Sequence, residues 1–352
     1  MIWLAWRQFR AQGAVLIGAL VVIGAMLLLT GPPLVHLYDA TVATCAAHGD
    51  CATVIGNFSH RDFLVQQFAI VLLVAPVLVG MFLGAPLVAR ELEHKTNQLA
   101  WTQGVSRTRW LATKLVLVGA ASMACAGILS LMVTWWFCPI DRANMISPLS
   151  ASLFDRRDIV PIGYTAFAFV LGVAAGLLIR RTLPAMAATL VAFIGTRLAV
   201  FDWVRPRLSA PLTVTSPFES HLGLPNSVWV LSDQTINRAG SVIGQNGGIG
   251  NMGLDFGVSN NGTLTLRGVG TCPNKAPLSS FNPGQGLRFG SPSPDFVRAT
   301  NACVNKLGIR DLVRYQPASR YWSFQWYEMA IFIGLAVILA AGCLWWVSRG
   351  LS

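Results

Sequence analysis

Six stretches of mostly apolar residues, at approximately 14–35, 66–88, 115–137, 160–180, 183–203 and 327–347, constrain this chain more than any other feature. Each is long enough to cross a hydrocarbon core of ~30 Å as a helix. In hydrocarbon a chain must satisfy its own backbone hydrogen bonds, so such stretches are helices. Only 12% of the 352 residues are charged, about half of the roughly 25% usual for soluble domains. The composition therefore excludes a soluble enzyme. The net charge of +11 does not point to nucleic acid, because the basic residues flank the spans or lie in one long polar segment.

Loop charge predicts the orientation. Arg7 and Arg10 precede span one; Arg90, Lys95, Arg107, Arg109 and Lys114 follow span two; Arg180 and Arg181 join spans four and five; Arg349 follows span six. The alternating loops, 36–65 and 138–159, carry no basic excess. Both termini are thus expected in the cytoplasm of a multi-pass plasma-membrane protein. Trp135, Trp136, Phe137, Trp203 and the run from Tyr321 to Tyr327 are expected at the outer interface, with Trp345 and Trp346 at the inner one.

Residues 204–326 hold eleven Lys/Arg against five acids, yet the alternation places them outside. Long segments translocate largely regardless of charge. Gly, Pro, Asn and Ser abound up to residue 292, with β-prone runs at 227–231 and 263–266, while 295–315 has helical spacing that Gly308 interrupts. The fold class is therefore an all-α polytopic membrane domain with six transmembrane helices and an N-terminal interfacial helix, carrying an inserted α+β extracellular domain. The segmentation is 1–13 interfacial helix, 14–203 spans one to five, 204–326 extracellular domain, and 327–352 span six with the tail.

Cys45 and Cys51 share one expected outer loop, and Cys272 and Cys303 the outer domain; even numbers on an oxidising side read as two disulfides. The competing reading of Cys45, His48, Asp50 and Cys51 is a metal site, with disulfide favoured and no metal site assigned. No nucleophile elbow or metal-binding His pair occurs in 205–326, so no catalytic residue is assigned.

Trp3, Trp6, Arg7 and Arg10 give the N-terminus an aromatic and a basic side, as in a helix lying on a leaflet. The 89–114 loop is long, charged and aromatic-studded, with two helical pieces expected around a break at Gly104 and Ser106 as an N-cap. Arg90, Glu91 and Glu93, then Leu99, then Val105-Ser106-Arg107 and Lys114, resemble the coupling segment of ABC-2-type transporter permeases. Residues 315–326 resemble an actinobacterial group of them with a large extracellular domain. Lys95 departs from the family's usual small residue, and 204–326 is far larger than its usual short re-entrant helices.

The resemblance implies a half-transporter. Two membrane subunits, identical or mixed, pair in the lipid, and each docks a cytoplasmic ABC ATPase through Arg90, Glu91, Glu93, His94, Lys95, Leu99, Trp101, Ser106, Arg107 and Trp110. The chain has no Gly-x4-Gly-Lys-Ser/Thr phosphate loop, so ATP and Mg belong to the partner, and no cofactor is expected here. The leading function is the permease of an exporter for lipophilic or amphipathic cargo. The alternatives are a mechanotransmission or sensing subunit acting through 204–326, and a membrane-anchored envelope enzyme.

Inside the spans, Arg197 is the one deeply placed charge, read either as a cargo contact or as a side chain that snorkels to the headgroups or pairs with Asp202. Gly80-x3-Gly84 and Gly172-x3-Gly176 read as close helix approach within the chain, and Pro76 and Pro86 as kinks in span two.

Overall fold

The computed structural model describes residues 2–37, 73–94, 106–142, 147–217, 227–245, 256–258, 263–266, 270–275 and 305–350. It has six helices long and apolar enough to cross a membrane, at Gly13–Pro33, Leu73–Glu93, Arg107–Cys138, Val160–Ile179, Thr182–Arg207 and Ala318–Arg349. These are the six stretches read from the sequence, and a small antiparallel sheet region accompanies them. The chain divides into a helical unit, Met1–Leu208 with Ser319–Ser352, and a second unit, Ser209–Ala318.

In chain order the helices are α1 (Ile2–Leu37), α2 (Leu73–Glu93), α3 (Arg107–Arg142), the short α4 (Ala151–Phe154), α5 (Val160–Ile179), α6 (Thr182–Ala199) and α7 (Tyr321–Gly350). We call the end of the bundle holding residues 93, 107 and 180 proximal, and the end holding 138, 160 and 205 distal. The N-terminal residues do not form a separate helix: α1 runs unbroken from Ile2, and Gly13 alone does not interrupt it. In the 89–114 loop, α2 continues to Glu93 and α3 begins at Arg107, while the break expected at Gly104 lies outside the described residues. Ser106 does cap α3, its Oγ accepting the Arg109 N–H at 3.3 Å.

α5 is the hub, packing against α2, α3, α6 and α7. Its contact with α2 is backbone on backbone. A Cβ on Gly172 would lie 2.2 Å from the Gly80 carbonyl oxygen, one on Gly84 2.4 Å from that of Phe169, and one on Gly176 2.6 Å from that of Ala85. The two Gly-x3-Gly motifs thus face each other within one chain. Over Gly80–Gly84 the helix widens into one π-helical turn, a common device for re-aiming a helix. α1 is peripheral and touches α3, where Trp136 Nε1 donates to the Thr30 hydroxyl at 3.0 Å. Trp135, Trp203, Trp322, Trp326 and Tyr327 are exposed near the distal end and Trp345 and Trp346 near the proximal end, while Trp136 and Phe137 are packed.

The α5–α6 turn needs one left-handed residue. Arg180 supplies it at φ 56°, its N–H returning to the Gly176 carbonyl at 3.0 Å.

The second unit holds β1 (Leu212–Pro217), β2 (Trp229–Ile236), β3 (Val242–Gln245), β4 (Phe256–Val258), β5 (Thr263–Leu266), β6 (Gly270–Lys275) and β7 (Arg310–Gln316). One sheet has the order β1-β7-β2-β3 and the other β4-β5-β6, all neighbours antiparallel. β1 and β7 pair from Leu212↔Tyr315 to Pro217↔Arg310, so the first and last strands of the unit lie side by side. The helix expected over 295–315 is corrected at its C-terminal part. Residues 310–316 are strand, because Ile309, Asp311 and Val313 are buried at period two and outweigh the helical spacing. Gly308 keeps its breaking role at φ +73°.

Ala at position 172 or 80 must push two backbones apart. Each substitution is expected to cost roughly 1–3 kcal/mol, read as earlier loss of the monodisperse peak on heating in detergent. Gly195→Ala, with nothing within 4 Å of the new methyl, should leave it unchanged. A Gly172→Ala protein as heat-stable as wild type would contradict the packing.

Candidate functional site

Two groups of polar side chains stand out, one at each end of the helical unit. The distal group is built around Arg205, which is fully buried in the short 3-10 turn that prolongs α6. Its Nε and Nη2 donate to Glu328 Oε2 and Oε1, both at 2.8 Å, in the two-pronged geometry that suits guanidinium and carboxylate. Nη2 also pairs with Asp155. The guanidinium lies 4.4 Å from the centre of the Phe154 ring and 5.0 Å from that of Phe201.

Arg197 completes the group. Its Nη2 donates to Asp155 Oδ2 at 2.7 Å and its Nη1 to the Leu73 carbonyl at 3.3 Å. The sequence-level alternative of an Arg197–Asp202 pair is replaced, since Asp202 faces outward. The Tyr164 hydroxyl stands 2.5 Å from Glu328 Oε1 and 3.1 Å from Asp155 Oδ1. Two cations and two carboxylates thus form a neutral set. Beneath it Tyr164, Phe167, Phe193 and Phe332 pack ring against ring, which keeps the set dry from below.

A second strand of the same network holds the 147–160 segment. Gln325 takes the Val160 N–H on Oε1 and gives an amide proton to the Phe154 carbonyl, each at 3.1 Å. Tyr321 donates to Asp158, and Arg157 Nε donates to Tyr321 at 3.2 Å. Asp158 sits at φ 62°, a conformation that costs a non-glycine residue about 1–2 kcal/mol. It is held there by Thr134 Oγ1, accepting its N–H at 3.2 Å, and Ser130 Oγ, donating to its carbonyl at 2.6 Å. Sequence reasoning missed Asp155, Arg205 and Glu328. The available signal was one acid in the apolar run of α7 and two basic residues, Arg205 and Arg207, just past α6.

The proximal group contains the residues read as coupling contacts. Glu91 Oε1 accepts from Lys114 Nζ at 2.5 Å, and Lys114 lies 4.7 Å from the centre of the Trp110 ring. Glu93 Oε2 accepts the Thr182 N–H at 3.2 Å and hydroxyl at 2.8 Å, satisfying donors at the start of α6. Glu91 therefore ties α2 to α3, and Glu93 ties α2 to α6. Arg90, Glu93, His94 and Ser106 are exposed, and Trp110 is buried. Lys95, Leu99, Trp101, Cys45, Cys51 and Cys303 lie outside the described residues, as does the side chain of Cys272. Among the described residues no three His, Cys, Asp or Glu side chains gather as a metal site would need.

Burial alone would raise the Asp155 carboxyl, but Arg205 and Arg197 outweigh it and hold it below the ordinary carboxylate range. Its contribution to stability is therefore complete above pH ~4 and disappears as the pH falls through that lowered value. Acid unfolding of wild type against Asp155→Asn checks this, and identical acid midpoints would contradict it. Removing one partner of a buried pair leaves an uncompensated charge, so Arg205→Ala should lose about 3–5 kcal/mol. Arg205→Lys should recover little, lacking the fork, and Asp202→Asn should be neutral; equal losses from Arg205→Ala and Asp202→Asn in detergent unfolding would refute the role of the cluster.

The family model described as ABC-2 membrane transporter related matches residues 17–205, from span one to Arg205 and more than half of the chain. No curated protein and no solved structure matches. With six candidate spans and this match, the chain belongs to the ABC-2 membrane transporter related family, a multi-pass membrane protein of the ABC transporter membrane-subunit type.

Proposed function

We propose that this chain is the permease subunit of an ATP-driven exporter whose energy comes from a separate ABC ATPase docked at residues 90–110. The observation that carries the reading is the pair of links leaving the end of α2. Glu91 reaches Lys114 on α3, and Glu93 reaches Thr182 at the start of α6. A push on the segment between α2 and α3 is delivered to three helices at once. At the other end α5, α6 and α7 are clamped by the Arg205 cluster.

In this reading both termini and the 89–114 segment face the cytoplasm, residues 204–326 form an extracellular domain, and a second copy or a related subunit completes the pathway. The loop charges support that orientation. ATP and Mg are bound by the partner. The cysteine pairs 45/51 and 272/303 form disulfides on the oxidising side, and the large extracellular domain links the chain to the actinobacterial group it resembles. Cargo is lipophilic or amphipathic, because the described helices offer the membrane-facing apolar surface such a cargo needs.

A second reading, mechanotransmission without cargo, draws on the pairing of β1 with β7. In the chain these strands follow α6 and precede α7.

Purification of the tagged chain from its host in mild detergent should yield a stoichiometric ATPase subunit, lost when residues 95–105 are replaced by a Gly/Ser linker. Purification without any ATPase would overturn both readings. ATP hydrolysis by the complex that no amphiphile stimulates, with a protein bound at residues 204–326, would favour mechanotransmission.

A further inference from the structure

A cavity of about 440 Å³ opens between α1, α2, α3 and α5, walled almost wholly by apolar side chains such as Leu16, Leu20, Phe82 and Leu129. That volume falls in the range that holds one small ligand, about 300–1,000 Å³. Its polar lining is sparse, and half of it is already used: Ser130 Oγ donates to the Asp158 carbonyl and Thr165 Oγ1 to that of Pro161. Two lining groups are not used. Ser122 Oγ and Arg156 Nε are buried without a hydrogen-bond partner.

Arg156 is also a cation of the segment that carries Asp155, and the distal network does not pair it. Arg205 pairs with Asp155 and Glu328, Arg197 with Asp155, and Arg157 with Asp158. No ion pair to Arg156 occurs among the described residues. Burial pulls its guanidinium below the usual arginine value, with Asp155 opposing and Arg197 adding to the shift. A half-buried guanidinium beside an apolar cavity carries a desolvation cost that an anion with an apolar body removes without flooding the cavity. The two open groups mark the two ends of the cavity. Ser122 lies two turns deeper on α3 than Ser130, about 12 Å at 1.5 Å per residue, and Ser130 bonds the segment that carries Arg156.

We propose that this cavity is a binding site for a single-chain anionic amphiphile, its carboxylate or phosphate head on Arg156 and its chain running toward Ser122. The apolar walls supply affinity without discrimination, and Arg156 supplies the selection for negative charge. The binding claim is independent of ATPase docking, since the isolated chain contains the whole site, and its failure would leave the coupling reading intact.

The test is a fluorescence titration of the purified full chain, in a neutral detergent, with dansyl-undecanoate and with its methyl ester. Wild type should bind the carboxylate more tightly than the ester. Arg156→Gln should weaken the carboxylate by about tenfold to a hundredfold, the worth of a charge-assisted hydrogen bond, and leave the ester unchanged. Arg156→Lys should keep most of the preference. A bulky Ala126→Trp should block both probes, with heating profiles confirming that each variant is folded. Equal binding of acid and ester by wild type, or an Arg156→Gln protein with unaltered carboxylate affinity, would overturn the proposal. Within the complex, probe release on adding ATP identifies the occupant as cargo and retention identifies a resident lipid; both presuppose the site.

Discussion

Arg205 is a fully buried cation next to a membrane-spanning bundle, and the rest of the distal architecture follows from the need to neutralise it. An isolated charge there would cost several kcal/mol. Glu328 on α7 answers it with both oxygens, Asp155 answers it from the segment before α5, and Arg197 on α6 balances the second carboxylate. Two spans and one connecting segment must therefore take one relative placement before every member is satisfied. Geometry this specific confers uniqueness more than net stability, because apolar packing of the same volume would hold the helices as well.

Lower in the bundle, apolar contacts carry the same helices differently. In hydrocarbon there is no water to expel, so helices associate by close packing. The facing glycines of α2 and α5 let carbonyls and Cα atoms meet directly, and the π-helical turn lies at that contact. The proximal end has neither device. It is joined by side chains: an ion pair with a ring stacked on it, and a carboxylate on the start of α6. Part of that linkage is exposed and can rearrange at little cost, whereas the distal cluster cannot.

Span positions were legible in the sequence because hydropathy reports solvent directly, and the strand at 263–266 because β-prone residues stood between turn residues. The glycine pairs were legible as close approach, since nothing but glycine allows it. Residues 310–316 were not, because a short amphipathic run fits both periods and pairing with β1 and β2 decides it. The continuity of α1 was hidden by polar residues and a glycine that suggest a break where the backbone needs none. The distal cluster was least legible of all. Asp155, Arg205 and Glu328 are far apart in the chain, and each alone reads as an ordinary charge at a span end. Arg197 was visible as an anomaly, but its partner came from another loop rather than from the nearest acid. Glu91 and Glu93 were singled out by resemblance as candidate coupling residues, and their pairing with Lys114 and Thr182 emerged only in three dimensions.

The Arg205 cluster makes the distal ends of α6 and α7 move as one body, while the proximal ends of the helices are free to move. Pulsed electron–electron distance measurements on the complex with its ATPase test it most directly. One spin-label pair replaces the exposed Trp203 and Trp322, and another the exposed Arg109 and Arg349. Between the nucleotide-free and ATP-trapped states, the 203–322 distance should stay fixed and the 109–349 distance should shift. A shift at 203–322 with an unchanged 109–349 distance would contradict the account.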